Sequence, residues 1–137
     1  MRCFDTHNSA AEQLEAKYPV LIQRYAIGQD SAGAGRQRGG LGAESVVQAL
    51  SPFAVTTRID RVHCKPWGLD GSSDAMGNAI ALRRKGEWKT DLPNAKVFNV
   101  RLESGDAYKM LSGGGGGFGD RFSGTSNLWP RMCGNST

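Results

Sequence analysis

The chain has 137 residues, 19 of them glycine, 39% hydrophobic residues and a formal net charge of +4. At ~100–200 residues per domain, this length makes one domain or part of one. Glycine at about twice its usual share excludes a long-helix or coiled-coil protein, because each glycine costs a helix ~1 kcal/mol. Three Trp, three Tyr and five Phe argue against disorder.

Residues 10–17, AAEQLEAK, are good helix formers that Asn8 or Ser9 can cap and Pro19 ends. Tyr18 to Ile27 reads as a strand closed by Gly28. Asp30 to Gly42, DSAGAGRQRGGLG, is a glycine-rich loop. Residues 43–50 and 53–62 read as two strands split by Ser51-Pro52. The second alternates, with Val55, Thr57, Ile59 and Arg61 on one face and Ala54, Thr56, Arg58 and Asp60 on the other.

Residues 63–78 carry no period and read as a long irregular segment. Ala79 to Arg83 is a strand, Lys85-Gly86-Glu87 a turn, and Trp88 opens a short strand. Strands at 96–102 and 107–111 flank a turn at 103–106. The latter strand leads through Ser112 into five glycines, Gly113 to Gly117. The expected fold is mainly β: a single small domain of short strands, glycine-rich loops, one N-terminal helix and an irregular C-terminal tail over 124–137.

The 17 basic and 13 acidic residues form no long basic stripe, so nucleic acid is not an expected partner. No segment approaches the ~20 apolar residues of a membrane helix, and residues 1–8 lack the apolar stretch of a secretory signal. Three widely spaced cysteines fit a reducing compartment, so a cytoplasmic location is expected.

The first glycine loop lacks the Lys-Ser/Thr ending of a P-loop and the third glycine of a dinucleotide fingerprint. Two readings stay open for Gly33, Gly35, Arg36, Arg38, Gly39 and Gly40. One is a close backbone crossing with no room for side chains. The other is an anion site of loop amides and two arginines. For the second loop, Gly113, Gly114, Gly115, Gly116 and Gly117, an ordered path against other backbone is favoured over a flexible linker. Trp67, within Pro66-Trp67-Gly68, is expected to anchor the core or an interface. Cys3, Cys64 and Cys133 with His63, or with His7 instead, could hold zinc and staple both tails to the body, although the spacing is not of CxxC type. The alternative is a small apolar Cys64 and two tail cysteines.

Taken together, DSAGAGRQRGGLG at 30–42, DR at 60–61, PWG at 66–68, GD at 105–106 and SGGGGGFGD at 112–120 resemble the C-terminal region of the hydantoinase B/oxoprolinase family. The lead-in LEAKYPVLIQRYAI at 14–27 is similar too, and the resemblance covers about residues 9–123. It departs from the family pattern at Gly71-Ser72, at Ser112 and at Asp120-Arg121. It implies a small, non-catalytic subunit of an ATP-dependent ketone carboxylase of the acetophenone carboxylase type. The chain would be a separately encoded piece that completes a B-like subunit. Its partners would be larger hydantoinase A-like and B-like subunits, with ATP held on those other chains. A hydantoinase or 5-oxoprolinase equivalent is the alternative, and a stand-alone basic binding module a further one. No catalytic residue is carried over.

Overall fold

A computed structural model describes residues 10–90, 92 and 95–120 of the chain. The fold is mainly β, with one short helix and antiparallel sheets. Helix α1 (Ala11–Lys17) precedes β1 (Val20–Ile27), β2 (Ala43–Ala49), β3 (Phe53–Arg58), β4 (Ala79–Arg84), β5 (Glu87–Lys89), β6 (Lys96–Leu102) and β7 (Ala107–Leu111). Five strands form one sheet in the order β1-β2-β7-β4-β5, and β3 pairs with β6 in a second. Among the described residues, no helix is long and apolar enough to cross a membrane.

Register explains where the core sits. Ile22, Val47, Tyr108 and Leu82 stand in one cross-strand row, so their side chains share one face of the larger sheet. The two-stranded sheet covers part of this face. Ala49, Val55, Leu82, Val97 and Leu102 form the buried cluster, with Phe53, Leu92, Val100 and Tyr108 packed against it. Thr57 is the buried polar member of β3. Its hydroxyl donates to the Ala95 carbonyl at 3.0 Å and accepts from the Val97 amide at 3.1 Å, which removes the cost of burying it.

Several boundaries differ from the sequence reading, β2 ending at Ala49 and β4 at Arg84 among them. The residue at the helix cap position is Ala10, with no side-chain cap bond, while Asn8 and Ser9 lie outside the described residues. Strand β1 starts at Val20 rather than Tyr18, because the Tyr18 carbonyl accepts the Val20 amide in a tight turn. Strand β3 alternates as expected through Arg58 but stops there instead of at Val62. Beyond it, the Asp60 and Arg61 carbonyls accept the Asn78 side chain and amide at 2.7 and 3.2 Å, and Arg61 turns to φ 59°. Strand β5 opens at Glu87, since Lys85 and Gly86 (φ 51° and 87°) alone make the two-residue turn that such positive angles favour.

The opposite face of the larger sheet carries a charged cluster. Arg24 and Lys109 flank Val46 in one row, and Glu44 lies two residues back on the same face. Its carboxylate meets Lys109 Nζ at 2.8 Å and Arg24 Nε at 3.6 Å. The Lys109 hydrogen bond, aided by the charges of Lys109 and Arg24, holds Glu44 below the ordinary carboxylate range against the opposing effect of desolvation. A depressed folded-state pKa stabilises above the unfolded value and is lost as pH falls through the folded one. Wild-type protein should therefore lose more stability than Glu44→Gln between about pH 6 and about pH 3. Parallel unfolding midpoints across that window would contradict the assignment.

Candidate functional site

The antiparallel order brings three loops to one end of the larger sheet. The end of β1, the start of β2, the end of β7 and the start of β4 are aligned by the pairs Ile27–Ala43, Glu44–Leu111 and Ala79–Leu111. The loops leaving these ends are 28–42, 112–119 and the irregular 63–78, and they interlock there.

The first two loops run antiparallel. Gln37 and Phe118 exchange both backbone hydrogen bonds at 2.9 Å. The Gly33 amide donates to Gly115 and the Gly115 amide to Gly40, both at 2.9 Å. The third segment pairs on the other side of the glycine run. Leu69 donates to Gly117 at 3.0 Å and Gly119 donates back to Leu69 at 2.9 Å. Ser73 closes the ring by donating its amide to Ala34 at 2.8 Å.

Glycine is required because backbone occupies the space a side chain would take. An added Cβ would strike the Gly115 carbonyl from Gly39 and the Ser112 carbonyl from Gly42. From Gly116 it would strike the Trp67 carbonyl, and from Gly35 it would lie 2.8 Å from the Phe118 carbonyl oxygen. Gly40 differs, with nothing within 4 Å of its hypothetical Cβ.

Polar side chains staple this crossing. The buried Ser31 hydroxyl donates to the Gly28 carbonyl and accepts the Gly42 amide, each at 2.8 Å, tying off the first loop at its base. Ser73 Oγ accepts the Ala34 amide at 2.7 Å. Asp74 Oδ1 accepts the Gly68 amide at 2.9 Å, and Asn78 Oδ1 accepts the Gly113 amide at 2.6 Å. Sequence reading passed over Ser31, Ser73, Asp74 and Asn78. Three of them lie in the segment that has no period, so only the pairing itself identifies them.

Backbone amides that could face an anion are thus occupied internally at Gly33, Ala34, Arg36, Gln37 and Gly39 of the first loop. The second loop is the same at Gly113, Gly114, Gly115 and Gly117. Arg36 and Arg38 are not buried, and the Arg36 guanidinium lies over the Phe118 ring, 5.9 Å from its centroid. Trp67 is 67% exposed, so it is not a core residue of this chain. Of the residues considered for zinc, Cys64 is an exposed free thiol beside exposed His63, whereas Cys3, His7 and Cys133 lie outside the described residues. Among the described residues, no group of three or more His, Cys, Asp or Glu could hold a metal ion.

This crossing is built from the blocks DSAGAGRQRGGLG, PWG and SGGGGGFGD, and the sequence pattern of the Hydantoinase B/oxoprolinase family matches residues 1–121. The chain belongs to that family. This hydantoinase B-type segment is 27% identical over 117 residues to the B-type chain of a putative D-/L-hydantoinase of Pseudomonas sp. strain NS671. The match covers 85% of this chain and 20% of that protein. The β chain of caprolactamase from Pseudomonas jessenii is 30% identical over 115 residues, 80% of this chain and 19% of that one. 5-Oxoprolinase 1 of Arabidopsis thaliana is also 30% identical over 115 residues, 84% of this chain and 9% of its own length.

Among solved structures, the ATP-dependent caprolactamase from Pseudomonas jessenii superposes with a TM-score of 0.64 at 25% identity, covering 81% of this chain and 20% of that one. Nucleotide-free acetone carboxylase shares the fold at a TM-score of 0.66 and 21% identity, over 82% of this chain and 19% of its own. The segment therefore spans about a fifth, or less, of the length of these relatives.

Proposed function

We propose that the chain is a structural, non-catalytic part of a hydantoinase B-type subunit, completing that subunit within an ATP-dependent multi-subunit enzyme. The observation that carries this reading is the use of polar side chains at the crossing. Ser31, Ser73 and Asn78 are committed to backbone groups of the glycine loops and Asp74 to the Gly68 amide of the third segment, which suits a scaffold rather than a reacting centre. The glycine residues of both loops serve as backbone-contact positions, and ATP binds to other chains of the assembly.

Two reaction classes fit the family. One is carboxylation of a ketone, of the acetophenone carboxylase type, for which the fold shared with acetone carboxylase speaks. The other is ATP-driven opening of a cyclic amide. Hydantoin, oxoproline and caprolactam are all cyclic amides, and the relatives named for acting on them are alike in sequence, the caprolactamase in fold as well. That favours the second class. Co-expression with larger hydantoinase A-like and B-like chains, followed by ATP hydrolysis assays, tests the proposal. Turnover with cyclic amides and not with ketone plus bicarbonate is expected. Failure of the larger chains to co-purify would overturn the proposal. The proposal extends to zinc held by Cys3, Cys64 and Cys133 with His63, or with His7 instead, and of these Cys64 is an exposed free thiol. Stoichiometric zinc in the purified full chain would bear this out, and a fully stable zinc-free chain would overturn it.

A further inference from the structure

The crossing leaves three large apolar side chains in solvent. Trp67 is 67% exposed, Leu69 56% and Phe118 41%. Leu69 and Phe118 are directly bridged, and the Trp67 carbonyl abuts Gly116, two residues before Phe118. They reach this place from two loops that are far apart in sequence, so the patch is assembled by the fold.

Their exposure has a physical cause. Backbone packs directly on backbone at Gly33, Gly39, Gly42 and Gly116, with no room for side chains between the loops there. Trp67, Leu69 and Phe118 stay exposed on this crossing. The platform that carries them is rigid, because many of its amides and carbonyls are paired within the chain. Arg36 holds the Phe118 ring through its guanidinium face. Aromatic anchors fixed in advance on a rigid backbone are the residue type and the setting that dominate interface energetics, since little freedom is lost on docking.

We propose that Trp67, Leu69 and Phe118 form the docking surface for the body of a hydantoinase B-type subunit, a deeper reading that rests on the function proposed above. The length comparison identifies this occupant. The same fold occupies about a fifth of the chain in the caprolactamase and acetone carboxylase structures. The remaining four-fifths or so of each of those chains is protein against which the segment can pack. A large exposed side chain elsewhere serves as the comparison: Phe98, on β6 of the smaller sheet, is 85% exposed and stands apart from the crossing.

Hydroxyl-radical footprinting of the full chain, alone and in complex with the co-expressed larger B-like chain, tests the surface. Trp67 and Phe118 should be labelled rapidly in the free chain and at least roughly fivefold more slowly in the complex, with Phe98 unchanged. Trp67→Asp should weaken association roughly tenfold or more, whereas Phe98→Asp should leave it unaltered. Leu69→Ala, a milder change, should weaken association in the same direction while leaving the thermal midpoint of the free chain in place. Equal labelling of Trp67 and Phe118 in an intact complex would overturn this surface while leaving the proposed function standing. Failure of the wild-type chains to form a complex would overturn both.

Discussion

Gly39→Ala should destabilise the chain by about 3 kcal/mol or more, at the top of the range for inserted methyl groups, because the new Cβ meets backbone and not a side chain that can rotate away. The Gly115 carbonyl lies where that methyl would go, and Gly116 lies just behind it. Relief requires the two loops to separate. Separation would break the Gly33–Gly115 and Gly115–Gly40 hydrogen bonds and expose amides that have no second partner. For a chain of this size, a loss of that order lowers the thermal midpoint by roughly 10 °C. Gly40→Ala, one residue on, is the control. It has open space around it, so its effect should stay within ~0.5 kcal/mol or be slightly stabilising through the unfolded state. Equal midpoints for the two variants would show that the loops do not interlock in solution.

The contrast between Gly39 and Gly40 also marks how far the sequence could be read. Strands with an alternating pattern were legible: Phe53, Val55 and Thr57 face inward on β3, with Ala54, Thr56 and Arg58 outward. So was the β4–β5 hairpin, from its Lys85-Gly86 turn. For the second glycine cluster an ordered path was the favoured reading and for the first a close crossing stood beside an anion site, but which glycine meets which carbonyl was not legible, since that depends on strands brought together from distant positions. Of the third member of the crossing, only the PWG block at 66–68 was legible, through the family resemblance. Residues 66–77 have no hydrophobic period, and their pairing with Gly117 and Gly119 is fixed by main-chain bonds that any residue can make. Bulges were hidden for the same reason. Register slips between Ile22 and Arg24 and between Val55 and Thr57 leave no mark in composition. Asn99, at φ 50° opposite Thr56, donates its amide to the Thr56 hydroxyl at 3.1 Å, a local device visible only once β3 and β6 are paired.

Leu102→Ala should cost about 3–4 kcal/mol, the usual range for removing a fully enclosed leucine and leaving a cavity. Leu102 has no exposed surface and is the largest side chain buried so completely among the described residues. It lies at the end of β6, paired with Phe53, and packs in the cluster that joins the two sheets through Ala49 and Leu82 on one side and Val55 and Val97 on the other. Collapse into the cavity is hindered because both walls are strands held in register by main-chain hydrogen bonds. The effect should not be confined to the core. Shortly after Leu102 the chain enters β7, which runs straight into Ser112 and the glycine run, and the Ser112 amide is fixed to the Ala43 carbonyl at 2.8 Å. Loosening β6 against the larger sheet therefore removes support from the strand that aims the second loop into the crossing. Denaturant unfolding followed by tryptophan emission, which includes Trp67 at the crossing, and by far-ultraviolet circular dichroism, which follows the sheets, should shift together to a lower midpoint. Phe98→Ala on the same strand, at an exposed position, should move neither by more than ~0.5 kcal/mol. A Leu102→Ala protein whose sheet signal melts early while its tryptophan signal keeps the wild-type midpoint would show the crossing to be a separate cooperative unit, held by its backbone interlock alone.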